Sequence, residues 1–217
     1  MDDHQHPPRA DGAQSADPGL DESMLPADPV DQFSAWLADA AAAGLPEPNA
    51  MVLCTVSAAG RPRSRSVLLK EHGPAGLVFY TNRTSAKAQD LAANGYGCVL
   101  FPWYALRRQV IVHGPVTPLS QAESEPYFHS RPRGSQLGAW ASRQSSVIES
   151  RAVLEDAYAR LEQRWPEPAQ VPMPDFWGGY RLVPEIVEFW QGRLNRLHDR
   201  LRYRRDGARW LVERLSP

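Results

Sequence analysis

Ala50-Met51-Val52-Leu53-Cys54-Thr55-Val56-Ser57, then Ala58-Ala59-Gly60, then Arg63-Ser64-Arg65-Ser66-Val67-Leu68-Leu69-Lys70 is the stretch that decides the fold. The first run is almost continuously apolar, the middle is a turn, and the second run returns as a strand. Strict alternation puts Arg63 and Arg65 on one face and Lys70 on the other. Lys70 therefore serves a different ligand group from Arg65, or a bulge intervenes.

Working outward, Asp28 and Pro29 form an N-cap followed by a first-turn proline. Val30, Phe33, Trp36, Leu37 and Ala40 then make one helical stripe that ends at Gly44. Downstream, residues 77–80 predict a strand and 86–93 a helix capped by Ser85. Residues 96–101 and 108–114 predict two more strands, and Ser120 with Glu123 a capping box for a helix to about residue 129. Residues 137–146 are small and polar, which suits close backbone approach to a ligand or a second subunit. Ser150 caps a further helix, and strands at 180–183, 186–191, 197–204 and 210–215 close the chain. Seven or eight short strands with inserted helices predict an α+β protein built on a mainly antiparallel barrel or sandwich.

Residues 1–27, rich in Asp, Pro, Gly, Ala and Ser, are expected to be a disordered tail, with 28–217 the folded domain. The net charge of −1 gives no global pull toward nucleic acid or membrane, so an anion site must come from local clustering. Cys54 and Cys98 lie in apolar runs and read as buried free thiols, which fits a reducing cytoplasm. No run is long enough to span a bilayer. No Cys/His spacing suggests a metal, and no strand-to-GxGxxG unit or P-loop is present.

Within 189–205, Phe189-Trp190-Gln191-Gly192 precedes Arg196-Leu197-His198-Asp199-Arg200. On a strand, Arg196, His198 and Arg200 would share one face. A fixed cation beside an imidazole suits an anionic substrate undergoing proton or hydride chemistry. Lys87 sits in the first turn of its helix, where either a bound anion or simple surface exposure accounts for it. Tyr127, Arg131 and Ser135 can hold a phosphate, although a capped helix with a charged exit also explains them.

As an ordered set, these stretches resemble the pyridoxine (pyridoxamine) 5′-phosphate oxidase family. The runs are Glu47-Pro48-Asn49-Ala50-Met51, Arg65-Ser66-Val67-Leu68-Leu69-Lys70, Phe79-Tyr80-Thr81-Asn82, Ser85-Ala86-Lys87, Phe101-Pro102-Trp103 and Arg108-Gln109-Val110. Later come the run 127–136, Gln144-Ser145-Ser146, Phe176-Trp177-Gly178-Gly179 and the 188–200 segment. The resemblance implies an FMN-binding split barrel, a homodimer with flavin at the subunit interface, and oxidation of pyridoxine or pyridoxamine 5′-phosphate by oxygen. It implies that Arg65 and Lys87 hold the flavin phosphate. The 65–70 backbone, Tyr80, Thr81, Gln109, Gln144, Ser145, Trp190 and Arg200 would complete the flavin site. Lys70, Tyr127, Arg131 and Ser135 would clamp the substrate phosphate, with Arg196, Leu197 and His198 over the substrate ring. Ala86 departs from the arginine many relatives carry there, a loss for which Arg83 could compensate. The tail also lacks the Arg…Tyr lid segment of some members. A related flavin oxidase acting on a dihydrophenazine-type ring is the second expectation, though the four clamp residues argue against it. A non-catalytic protein binding flavin or an anionic polymer is the third, and nucleic-acid binding is the weakest.

Overall fold

The computed structural model describes residues 19–217. In chain order its elements are α1 (Pro29–Ala42), β1 (Ala50–Val56), β2 (Pro62–Leu68), β3 (Glu71–Gly73), β4 (Gly76–Asn82), α2 (Ala86–Ala93), β5 (Tyr96–Trp103) and β6 (Arg108–Pro118). There follow α3 (Gln121–Ser130), α4 (Arg133–Ala141), α5 (Arg151–Arg164), β7 (Trp177–Leu182), β8 (Ile186–Gln191), β9 (Asp199–Asp206) and β10 (Arg209–Arg214).

The opening hairpin forms as its pattern predicts, with Cys54 opposite Ser64 across β1 and β2. Its burial alternates, so Met51 and Leu53 enter the core while Val52 and Cys54 face outward. The second strand, however, stops at Leu68. Leu69 N–H still bonds to Asn49 in the first sheet, but Lys70 N–H bonds to Val78 on β4. The chain changes sheets at this corner, and the alternation that set Lys70 against Arg65 ends there.

A closed ring results. Antiparallel pairing runs β2–β1–β5–β6–β7–β4–β3, and β3 follows directly from β2. β6 is the branch point: Arg108 to His113 pair with β8, whereas Val116 to Pro118 pair with β7. Gly114 lies between the two registers, and a Cβ there would run into the Val183 carbonyl oxygen. Only glycine permits that approach. β8, β9 and β10 extend from the branch as a three-stranded arm.

The core fills the ring and the groove under α1. Phe33 meets Phe101 at 4.9 Å and Trp36 meets Phe189 edge-on at 5.2 Å. Phe79, Phe101 and Phe189 are fully buried, each worth roughly 1.5–3 kcal/mol. A second apolar cluster of Phe128, Leu137, Val171 and Trp177 lies beneath α3 and α4.

Several expectations change. Residues 1–18 of the predicted tail lie outside the described residues, but 19–27 pack on the arm. Leu20 is buried, Asp199 accepts its N–H, and Arg214 grips Glu22 and the Leu20 carbonyl. The Tyr203 hydroxyl donates to the Pro26 carbonyl. The segment 133–141, with two glycines and no clear period, is a helix because Leu137 inserts into the second cluster; packing overrides weak propensity. The Ser85 and Ser150 side chains make no cap bond. Cys54 and Cys98 are free but only half-buried, opposite one another across β1 and β5. β9 begins at Asp199, and Asn195 and Arg196 form a left-handed turn with φ of 55° and 62°. Arg196 and His198 therefore do not sit on a strand, and the same-face argument for them does not hold.

Candidate active site

A cleft of about 650 Å³ opens where the end of β2, β4, the start of α2 and the α3–α4 corner meet. Arg65, Ser66, Val67, Leu68 and Lys70 form one edge. Tyr80, Thr81 and Lys87 lie along the floor, and Tyr127, Arg131, Ser135 and Gln144 complete the far side. Four cations line this space, and no Asp or Glu does so among the described residues. Arg65 and Lys70 share the cleft, contrary to the opposite-face expectation, because of the sheet change after Leu68.

The cations fall into two groups. At one end, Lys87 is buried and its Nζ donates to Gln144 Oε1 (2.6 Å), Thr81 Oγ1 (3.1 Å) and Ser85 Oγ (3.4 Å). Burial, reinforced by repulsion from Arg65, pushes its ammonium pKa down to about 8. Arg65 is itself lowered, chiefly by burial. The Ala86 N–H, at the head of α2, donates to Ser145 Oγ at 3.2 Å, so a residue from a distant loop supplies the cap that Ser85 does not. Ser145 holds a φ of 73°.

At the other end three rings stack. Tyr80 and Tyr127 lie 4.0 Å apart, and Trp177 continues the stack 5.4 Å from Tyr80. The Arg131 guanidinium lies over Trp177 at 4.7 Å and Lys70 over Tyr127 at 5.8 Å. Arg131 Nη1 is buried with no hydrogen-bond partner among the described residues, and burial lowers the guanidinium pKa. A buried, unpaired cationic donor is costly unless an anion meets it. The Tyr80 hydroxyl donates to Glu71, and burial plus that carboxylate raises its pKa.

The remaining predicted residues lie elsewhere in this chain. Leu69 is core and its side chain does not line the cleft. Gln109, Trp190 and Arg200 stand opposite one another across β6, β8 and β9, forming one row on the arm. Arg200 is held by Glu188 at 2.8 and 3.1 Å and by the Ser216 carbonyl. His198 packs on Trp190 at 4.6 Å, and its Nδ1 accepts the Arg193 N–H at 3.0 Å. Arg196 and Leu197 are exposed. Neither joins Lys70 in the cleft of the same chain. Arg83 turns away, donating to the Leu119 carbonyl, and does not replace the cation absent at Ala86.

Sequence reasoning gave no role to Asn82, Ser142 or Trp177, which also line the cleft. The aromatic immediately before Gly178-Gly179 was the available signal for Trp177. Asn82 Nδ2 donates to the Ser142 carbonyl and so ties β4 to the α4 exit.

An antiparallel barrel with a cationic, ring-lined cleft and a separate C-terminal arm is the architecture of a flavoprotein oxidoreductase class. The chain belongs to the pyridoxamine 5′-phosphate oxidase family: residues 37–165 match the model described as pyridoxamine 5′-phosphate oxidase. Residues 177–217 match the pyridoxine 5′-phosphate oxidase C-terminal dimerisation region. A pyridoxine/pyridoxamine 5′-phosphate oxidase of Salinispora arenicola is 55% identical over 94% of this chain and 92% of its own. One of Streptomyces avermitilis is 58% identical over 92% and 91%. Among solved structures, PhzG of Burkholderia lata in complex with tetrahydrophenazine-1-carboxylic acid superposes with a TM-score of 0.85 at 32% identity. That match covers 90% of this chain and 95% of the other. No helix among the described residues is long and apolar enough to cross a membrane.

Proposed function

We propose that this chain is an FMN-dependent oxidase converting pyridoxine 5′-phosphate and pyridoxamine 5′-phosphate to pyridoxal 5′-phosphate. Oxygen is the final acceptor and hydrogen peroxide is released; the oxidised amine substrate, an imine, takes up water and yields ammonia. The observation that carries this reading is a cleft that, among the described residues, has four cations, no carboxylate, and a buried Arg131 Nη1 awaiting an acceptor. Two separate cationic ends suit two phosphorylated molecules, and the flat aromatic wall suits stacked rings.

Bound FMN supplies the hydride-accepting ring. Arg65, Lys87 and the first turn of α2 hold its phosphate, and the 65–70 backbone, Tyr80, Thr81, Gln144 and Ser145 complete that side. Lys70, Tyr127, Arg131 and Ser135 clamp the substrate phosphate. Binding energy gathered there, far from the reacting carbon, positions C4′. The substrate loses a hydride from C4′ and a proton from its oxygen or nitrogen. Gln109, Trp190 and Arg200 complete the flavin site, and Arg196, Leu197 and His198 cover the substrate ring, in a homodimer whose second copy lends its arm. The dimerisation-region match over 177–217 supports this, as does the fact that none of the arm residues lines the cleft of its own chain. Arg196 stabilises charge developing as the hydride departs.

The test is direct. Purified protein should be yellow, sediment as a dimer, and turn over pyridoxine 5′-phosphate with stoichiometric peroxide. A colourless protein that rejects added FMN overturns the proposal. Turnover of a dihydrophenazine carboxylate in preference to the phosphorylated substrate would reassign the substrate but keep the class.

A further inference from the structure

We propose that Thr55 and Asp90 form a positioning relay that aims Arg65 at the flavin phosphate; this rests on the reading that Arg65 binds that phosphate. Asp90 lies on α2, three residues beyond Lys87, and is only 3% exposed. Thr55 is 2% exposed on the barrel wall beneath it. Neither residue lines the cleft.

The hydrogen bonds run in one direction. The single hydroxyl proton of Thr55 goes to Asp90 Oδ2 at 2.7 Å. The Thr55 oxygen must then present lone pairs, and Arg65 Nη1 donates to it at 2.7 Å. The other Nη1 proton goes to the Leu53 carbonyl at 3.1 Å. Both Nη1 donors are thus spent on β1, while Nη2 approaches Asp90 Oδ2 at 3.7 Å. The planar fork is fixed, leaving Nε and one Nη2 donor for an anion in the cleft. Arg63, half-exposed, anchors the other carboxylate oxygen at 3.2 Å. Asp90 also supplies a nearby negative charge that favours the charged guanidinium of Arg65, which lies close enough to Lys87 to repel it. A buried carboxylate left with one partner fewer would be costly, so the relay is a coupled unit rather than a chance contact.

The experiment measures FMN dissociation from the full-length protein by flavin fluorescence quenching. Thr55→Val keeps the shape and removes the hydroxyl. It should weaken FMN about tenfold, the loss of one charge-assisted bond. Asp90→Asn should weaken it in the same direction, and Thr55→Ser should restore wild-type affinity. With saturating FMN, the Thr55→Val constant for pyridoxine 5′-phosphate should stay at the wild-type value, since Lys70 and Arg131 are untouched. In an Arg65→Ala background, Thr55→Val should add no further loss. Unchanged FMN affinity in Thr55→Val and Asp90→Asn, or the same additional loss with Arg65 absent, overturns the relay. A fall in both FMN and substrate affinity points to a merely structural role and overturns it too. If Arg65→Ala alone binds FMN normally, the phosphate assignment itself falls, and the relay with it.

Discussion

The cleft and the C-terminal arm both gather cations, yet they hold them differently. In the cleft, Lys87 and Arg131 are withdrawn from water, and Arg131 keeps a donor unpaired. On the arm, Arg200, Arg202, Arg204 and Arg214 are each paired with a carboxylate, while Arg196 stands exposed on a left-handed turn. Paired surface guanidinium groups contribute little to stability. Unpaired buried ones are poised for a ligand.

Arg196 is where this contrast breaks most decisively. Exposure in one chain and a role over the substrate in a dimer are compatible only if the arm reaches a second copy. Arg196→Ala should lower turnover about 100-fold or more with FMN still bound, as loss of a transition-state charge partner does. Turnover near wild-type would leave the arm outside the chemistry. At the cleft, Arg131→Ala should raise the apparent substrate constant about 10- to 100-fold, the cost of one charge-assisted contact. Lys70→Ala should also affect substrate more than FMN, and steady-state kinetics beside FMN titration decide it. The reverse pattern would exchange the two phosphate ends.

Gly114 tests the seam that joins the regions. Gly114→Ala should cost about 1–3 kcal/mol in chemical denaturation, because the added methyl meets the Val183 carbonyl. An unaffected midpoint would mean that the branch of β6 can relax. The smallest effect is on pH. Lys87 is charged below about 8 and neutral above it. FMN affinity should therefore fall as pH rises through that value, by up to about tenfold one unit above it. Lys87→Arg should flatten the profile, because guanidinium stays charged. Anion binding raises the lysine pKa, so the profile of the complex shifts upward.

Much of the fold and the site is legible in the residues alone. Asp28 caps α1, and Ser120 with Glu123 makes the capping box, because those bonds are local. Motif is enough to pick out the cleft residues Arg65, Lys70, Lys87, Tyr127 and Arg131. The features that escape have long-range causes. α4 owes its form to Leu137 in a satellite core, not to its own composition. The segment 19–27 is ordered by Asp199, Tyr203 and Arg214, far along the chain. Asp90 is one polar residue on a helix until Thr55 and Arg65 come beside it.

By itself the sequence determined most of the strands and helices, α4 and the start of β9 excepted, and which cationic and aromatic side chains were candidates for a ligand, since periodicity, caps and residue chemistry act over a few positions. Tertiary structure decided that Arg65 and Lys70 face one space, that Tyr80, Tyr127 and Trp177 stack, and that Arg196 stands apart from them. Those outcomes depend on where the barrel turns its corner at Leu69 and where β6 divides at Gly114. Ring closure is a property of distant strands pairing, and alternation within one strand carries no information about it.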